Sequence, residues 1–169
     1  MKILLIHPYL STVEKDMVLT EPLGLVYLAS YLEHHLGKSV EIKILDLFAL
    51  GYDQAIRKED TWVKGVSKKE DILKYVEEFQ PKVVGVSSNF TAFAQDSLEI
   101  ARTVKEAFPS LFLIMGGAHV SMEPDKVLKD SPFIDCIVRG EGEETFCELI
   151  KEIMSNPGAY PLKRSTVHA

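Results

Sequence analysis

The stretch "LFLIMGGAH" (residues 111–119) runs an apolar segment, Leu111 to Met115, into Gly116 and Gly117 and then His119. Apolar residues without alternation read as a strand covered on both faces, as in a parallel sheet. The paired glycines put bare backbone at the strand's end, where no Cβ holds a ligand away. A helix start follows near Glu123-Pro124, since proline is tolerated in a first turn. The unit is a buried strand feeding a helix through an open turn, and the same unit recurs along the chain.

Upstream, Ile3 to Ile6 is a continuous apolar strand. Pro22 opens a helical pattern, with Leu25, Leu28, Ala29, Leu32 and Leu36 on one face and Gly37 as a stop. Val40 to Leu45 alternates apolar and charged residues, which marks a strand with one wet face at a sheet edge. Residues 47–66 hold Trp62, the single tryptophan, and read as an irregular excursion with some helix. A helix carrying Ile72, Leu73, Val76 and Phe79 ends at Pro81, and Val83 to Val86 is a strand. A helix carrying Leu98, Ala101, Val104 and Phe108 ends at Pro109 and leads into the opening stretch. Ile134 to Val138 is a fifth strand, and Phe146, Leu149, Ile150 and Ile153 mark a last helix that Asn156-Pro157-Gly158 ends. Ala159 to Ala169 show no periodicity.

Strands alternating with helices predict an α/β fold: a five-stranded parallel sheet in a three-layer sandwich, Rossmann-like or flavodoxin-like. Right-handed crossovers and the wet second strand favour the order 2-1-3-4-5. In such sheets ligands bind beyond the carboxyl ends of the strands. The loops that matter are therefore residues 7–12, 87–91, 115–119 and 139–143.

Those loops exclude several ligand classes. No G-x-G-x-x-G follows the first strand, as a dinucleotide fold requires. Gly140-Glu141-Gly142 lies after the fifth strand, and Glu141, Glu143 and Glu144 would repel a pyrophosphate. Pro8-Tyr9-Leu10 makes a poor phosphate loop for FMN, although Ser11-Thr12 keeps that alternative open. Ser87 and Ser88 stand where a phospho-receiver domain needs an aspartate. What the loops supply is small, neutral and polar: Ser87, Ser88, Asn89 and Thr91 beside bare glycine. That suits a large, amide-bearing ligand better than a phosphate.

Composition is that of a globular chain: 169 residues, 46% hydrophobic, 26% charged, net charge −6. No basic face points to nucleic acid. The N-terminal apolar run is too short for a signal peptide or a membrane span, so a cytoplasmic protein is expected, with its cysteines reduced. Cys136 and Cys147, the two cysteines, have no metal-ligand spacing.

Four segments in this order, "PLGLVYLASYL" (22–32), "KVVGVSS" (82–88), "MGGAH" (115–119) and "DCIVRGEGEETF" (135–146), make the chain resemble the N-terminal cobalamin-binding domain of B12-dependent radical SAM enzymes. The resemblance spans residues 1–155 and leaves 156–169 as a linker or tail. It implies cobalamin on the carboxyl edge of the sheet, bordered by Pro8, Tyr9, Pro22, Leu23, Gly24, Ser87, Ser88, Asn89, Thr91, Gly116, Gly117, His119, Gly140, Glu141 and Gly142. It implies that the nucleotide tail runs past the serine loop and the glycine pair. The D-x-H-x-x-G motif of methionine-synthase-like domains is absent after the first strand, so base-off cobalamin without a protein histidine on cobalt is expected. The C-x-x-x-C-x-x-C motif of the radical SAM barrel is also absent. By the resemblance, S-adenosylmethionine and a 4Fe–4S cluster belong to a barrel domain that is this chain's partner. The chain alone is then not catalytic, and methyl transfer or related radical chemistry belongs to the whole.

Plainer readings stand beside these. Glu143 and Glu144 open a helix, where carboxylates meet the dipole favourably. His7, ending a strand, reads as a core histidine, and His34-His35 as solvated. His119 serves equally as a ligand contact or as a structural residue. A flavodoxin-like FMN module and a partner-docking domain without ligand remain alternatives. If the glycine pair makes room for the ligand, Gly117→Val is expected to abolish cobalamin retention with the fold intact.

Overall fold

A computed structural model describes residues 1–17, 21–156 and 165–168. The strands are β1 (Lys2–His7), β2 (Leu10–Thr12), β3 (Glu41–Asp46), β4 (Ala55–Lys58), β5 (Thr61–Lys64), β6 (Val83–Ser87), β7 (Phe112–Gly116), β8 (Cys136–Arg139) and β9 (Ser165–His168). The helices are α1 (Leu23–Leu36), α2 (Leu47–Leu50), α3 (Lys69–Phe79), α4 (Ala94–Ala107), α5 (Ala118–Met122), α6 (Pro124–Asp130) and α7 (Gly142–Ser155). Short 3-10 turns at Gly37–Ser39 and Thr91–Phe93 complete the set.

The main sheet is parallel, in the order β3-β1-β6-β7-β8-β9. Its first five members reproduce the order expected from the sequence, with the wet strand β3 at the edge. The sheet then continues one strand further. Residues 165–168, within the segment read as a linker or tail, pair with β8 from Cys136↔Ser165 to Arg139↔His168. Four residues are too few for a periodic signal; the pairing comes from the ladder groups that β8 leaves open on its outer side. The remainder of that segment, 157–164 and 169, lies outside the described residues.

The excursion at 47–66 is more regular than its pattern. After α2, strands β4 and β5 form a hairpin with register Lys58↔Thr61, turning at Glu59 with φ of +50°. β2 pairs antiparallel with β5, so Ser11 and Thr12 stand in a strand and not in a loop. β4 exposes almost every side chain, which leaves no alternation to read.

Two apolar cores flank the sheet. Leu4, Ile6, Val84, Leu113 and Met115 face α3, α4, α5 and the small sheet. Ile3, Leu5, Val83, Phe112, Ile114 and Val138 face α1 and α7. α7 drives Phe146, Cys147, Leu149, Ile150 and Ile153 onto that second face, and each large apolar side chain so buried contributes about 1.5–3 kcal/mol. Burial also pushes the Cys136 thiol up to about 11, which keeps it protonated and inert at neutral pH. α1 differs. It is apolar around much of its circumference, yet only Leu32 is fully buried. Leu25, Leu28, Ala29 and Leu36 pack against the same core but stay partly exposed.

The helix stops follow local chemistry. α3 ends with Gln80 in the left-handed region, at φ of +53°, because Pro81 cannot continue the ladder. α1 ends at Gly37, whose N–H donates to the Glu33 carbonyl. No helix among the described residues is long and apolar enough to cross a membrane.

A buried ion pair ties α4 to the start of β8. Lys105 Nζ lies 2.6 Å from Asp135 Oδ2 and also donates to the Leu111 carbonyl, while the Leu113 N–H donates to the same carboxylate at 2.7 Å. Removing one partner strands the other charge. Asp135→Ala should therefore lower the unfolding free energy by about 3 kcal/mol in urea titrations.

Candidate functional site

At the carboxyl edge of the sheet a cleft of about 390 Å³ opens between α1, α7 and the strand ends. Strand register builds it. Leu5 pairs with Gly85 and Gly85 with Ile114, so one row of side chains crosses β1, β6 and β7 on the α1/α7 face. Two residues nearer the edge, Ser87 pairs with Gly116 and Gly116 with Val138. Gly85, Ser87 and Gly116 are all small, so a trough descends between β6 and β7. Leu25 and Leu28 of α1 roof it, and Phe146 of α7 walls it. Further along the same elements, Val83 on β6 and Leu32 on α1 are wholly buried and do not line it.

The cleft gathers Gly24, Ser87, Asn89, Gly116, Gly117, Gly140, Glu141 and Gly142 from the residues singled out in the sequence. It separates the others. Pro8 and Tyr9 line a different cavity of only about 20 Å³. Tyr9 is buried in the core and its hydroxyl donates to Glu99 Oε2 at 3.0 Å. Burial first, then that carboxylate, pushes the Tyr9 phenol far above its usual range. Pro22 caps α1 through its carbonyl, which accepts from the Leu25 and Val26 amides, and Leu23 is 56% exposed on the helix's outer side. Thr91 and His119 pair at the rim, Oγ1 to Nδ1 3.1 Å. Neither lines the cleft.

The two glycines of the opening stretch divide their work. Gly117 has φ of +108°, and a Cβ there would meet Asn89 Oδ1 at 2.5 Å and the Ser88 carbonyl oxygen at 2.7 Å. Its bare backbone is demanded by the neighbouring loop. Backbone bonds lock that contact: Ser88 N–H donates to Gly116 O at 2.8 Å, and His119 N–H to Ser88 O at 3.0 Å. Gly116 is unstrained, and a Cβ there would meet only Val138 O at 3.6 Å, an ordinary contact. Gly116 is thus the glycine whose missing side chain leaves room in the cleft. Gly117→Val damages the loops themselves, so the expected loss of binding with an intact fold shifts to Gly116. Ser88, between them, is almost fully buried, and its Oγ has no hydrogen-bond partner among the described residues.

Sequence reasoning missed the trough's interior. Gly85 sits inside a strand, where glycine weakens pairing and marks a close approach. That signal was legible in "KVVGVSS". Leu5, Ile114, Leu25, Leu28 and Phe146 carried no signal, because floor and roof positions have the same apolar spacing as core.

Polarity is segregated along the cleft. Ser87, Asn89, Ser121, Glu141 and Glu143 stand toward the mouth, with backbone from Gly116, Gly140 and Gly142. The interior is hydrocarbon. Among the described residues no lysine, arginine or histidine lines it. His7 is turned away: it is buried, and its Nδ1 meets Asp46 Oδ1 at 3.0 Å. Burial would raise the Asp46 carboxyl, but hydrogen bonds from His7 and the α2 amides outweigh that and hold it low. Asp96, tied to β2 by the Ser11 amide and hydroxyl at 2.7 Å each, is raised chiefly by burial, against those two bonds. Among the described residues no group of three or more His, Cys, Asp or Glu side chains is placed to hold a metal ion. The arrangement suits a ligand with a polar body and an apolar end.

Comparison with known proteins agrees. A family profile described as the B12 binding domain matches residues 9–150. The chain is 35% identical over 158 residues to cytidylyl-2-hydroxyethylphosphonate methyltransferase of Streptomyces wedmorensis, covering 92% of this chain and 29% of that protein. It is 31% identical over 81 residues to the cobalamin-dependent radical SAM methyltransferase TokK of Streptomyces tokunonensis, covering 48% of this chain and 12% of that protein. The chain therefore spans less than a third of the length of these relatives. Among solved structures, a cobalamin-binding protein from Desulfitobacterium hafniense superposes with a TM-score of 0.51 at 18% identity, over 89% of this chain and 57% of that one. Receiver domains share the fold as well.

The division between the glycines is measurable without a ligand. Gly117→Ala should cost at least about 2 kcal/mol in urea unfolding, because it adds left-handed strain to a backbone clash. Gly116→Ala should stay within about 1 kcal/mol of the parent.

Proposed function

The chain belongs to the B12-binding domain family, and from that premise we propose that it holds cobalamin in the cleft at the carboxyl edge of its sheet, as the N-terminal module of a longer radical SAM enzyme that carries out methyl transfer or a related radical reaction. The observation that carries the reading is the cleft itself: polar and glycine-walled at the mouth, hydrocarbon within, and without a cationic side chain among the described residues. A phosphate-rich nucleotide would meet Glu141 and Glu143, and no described lysine or arginine lines the cleft to offset them. A corrin bears many neutral amides, which match Ser87, Asn89, Ser121 and exposed backbone. The buried, unpartnered Ser88 Oγ is a further polar group beside that mouth.

In this reading Gly116 and Gly24 leave space for the ligand, and Gly140 and Gly142 border the ring. α1 and α7 flank the inserted tail and exclude water from it. Bound cobalamin would supply the cobalt that carries the methyl group. The chain's own residues bind and orient, and none of them performs the chemistry. S-adenosylmethionine and a 4Fe–4S cluster would belong to the barrel domain of the longer enzyme, the partner of residues 1–155. Base-off cobalamin without a histidine on cobalt is part of the same proposal, on the ground that no D-x-H-x-x-G motif follows the first strand.

Incubation with hydroxocobalamin followed by desalting should leave a corrin absorption band on the protein. Gly116→Val should weaken retention at least about tenfold while circular dichroism stays unchanged; full retention by that variant, or a colourless parent protein, overturns the reading. EPR of the cob(II)alamin complex should lack nitrogen superhyperfine splitting. Splitting from a protein histidine or from the lower base would refute the proposed ligation.

A further inference from the structure

The hydrocarbon interior of the cleft selects as well as binds. Its floor and roof are Leu5, Leu25, Leu28, Gly85, Ile114 and Phe146, and none of these side chains donates or accepts a hydrogen bond. The backbone beneath adds nothing, because Leu5, Gly85 and Ile114 lie in the interior of the sheet with strands paired on either side. Space is also limited. From Ser87 to Gly85 the trough descends two residues, or roughly 7 Å, and Val83, two residues further along β6, is wholly buried and outside the lining. Such a slot accepts one flat ring system whose inner edge is hydrocarbon. A ring that turns polar atoms inward leaves them buried without partners, and that is penalised.

Resting on the cobalamin reading above, we propose that this trough is a specificity filter for the lower base of the corrinoid, admitting dimethylbenzimidazole and discriminating against purine bases such as adenine. Dimethylbenzimidazole turns a hydrocarbon edge with two methyl groups toward Leu5, Ile114 and Phe146. Adenine turns ring nitrogens and an amino group toward the same side chains. The corrin ring, its amides and the phosphodiester are common to both, so the polar mouth does not distinguish them. Discrimination resides in the row Leu5–Gly85–Ile114 and in its roof. Gly85 sets the depth: a Cβ there would come within 2.9 Å of Leu5 Cδ2 and would push that side chain into the slot.

The test is a titration of the 169-residue chain, followed by absorbance, with three corrinoids sharing one ring: cobalamin, its adenine-bearing counterpart, and cobinamide, which has no base. Cobalamin should bind at least about tenfold more tightly than either of the others, a difference of about 1.4 kcal/mol. Leu28→Gln, a change on the partly exposed roof, gives a polar edge a partner and should narrow the preference over adenine. Equal or tighter binding of the adenine form overturns the filter and leaves the cobalamin reading standing. Cobinamide binding as tightly as cobalamin shows that no base enters the trough and likewise overturns it. Failure of all three to bind overturns the cobalamin reading and the filter with it.

Discussion

Two backbone hydrogen bonds, Ser88 N–H to Gly116 O and His119 N–H to Ser88 O, clamp the loop after β6 to the loop after β7. The clamp is possible only because Gly117 takes a left-handed backbone and has no side chain to strike Ser88. Much follows from it. It turns Gly116 toward the cleft, sets Asn89 at the mouth, and starts α5 so that Ala118 and Ser121 border the opening. The site is thus positioned by backbone hydrogen bonds that continue directly from the strand ends, and not by side chains reaching across to it.

The second determinant is a mismatch between helices. α7 buries its apolar stripe fully on the sheet, whereas α1 buries only Leu32 fully and leaves Leu25 and Leu28 partly exposed. The wedge between them is the cleft. A helix with apolar residues over much of its surface ordinarily seeks burial all round. Here part of that surface, Leu25 and Leu28, is turned to a cavity.

Much of the architecture was legible because parallel strands and amphipathic helices announce themselves by period. The runs at Ile3–Ile6, Val83–Val86, Leu111–Met115 and Ile134–Val138, with the wet alternation from Val40, mark five strands and their order. The small sheet and β9 were not legible: β4 buries almost nothing, and β9 takes its partner from β8. At the site, the glycines and Ser87 stood out by residue type. Gly85 was absorbed into a strand. Tyr9 looked available and is a core residue, because nothing in Pro8-Tyr9-Leu10 signals that β2 folds back and that α4 brings Glu99 to its hydroxyl. Leu25 and Leu28 fall at core spacing, and no local pattern distinguishes a side chain that packs on a neighbour from one that roofs a void.

The row Leu5–Gly85–Ile114 belongs at once to the hydrophobic core and to the ligand cleft. Space left open there is packing forgone, and bulkier residues that filled it would make the domain tougher. Stability and capacity are therefore opposed at those positions, and a lineage that keeps the trough open lives below the robustness its architecture permits. Occupancy restores the difference, since a ligand that binds only the folded chain stabilises it by mass action. Filling the trough and stabilising the fold are then a single event.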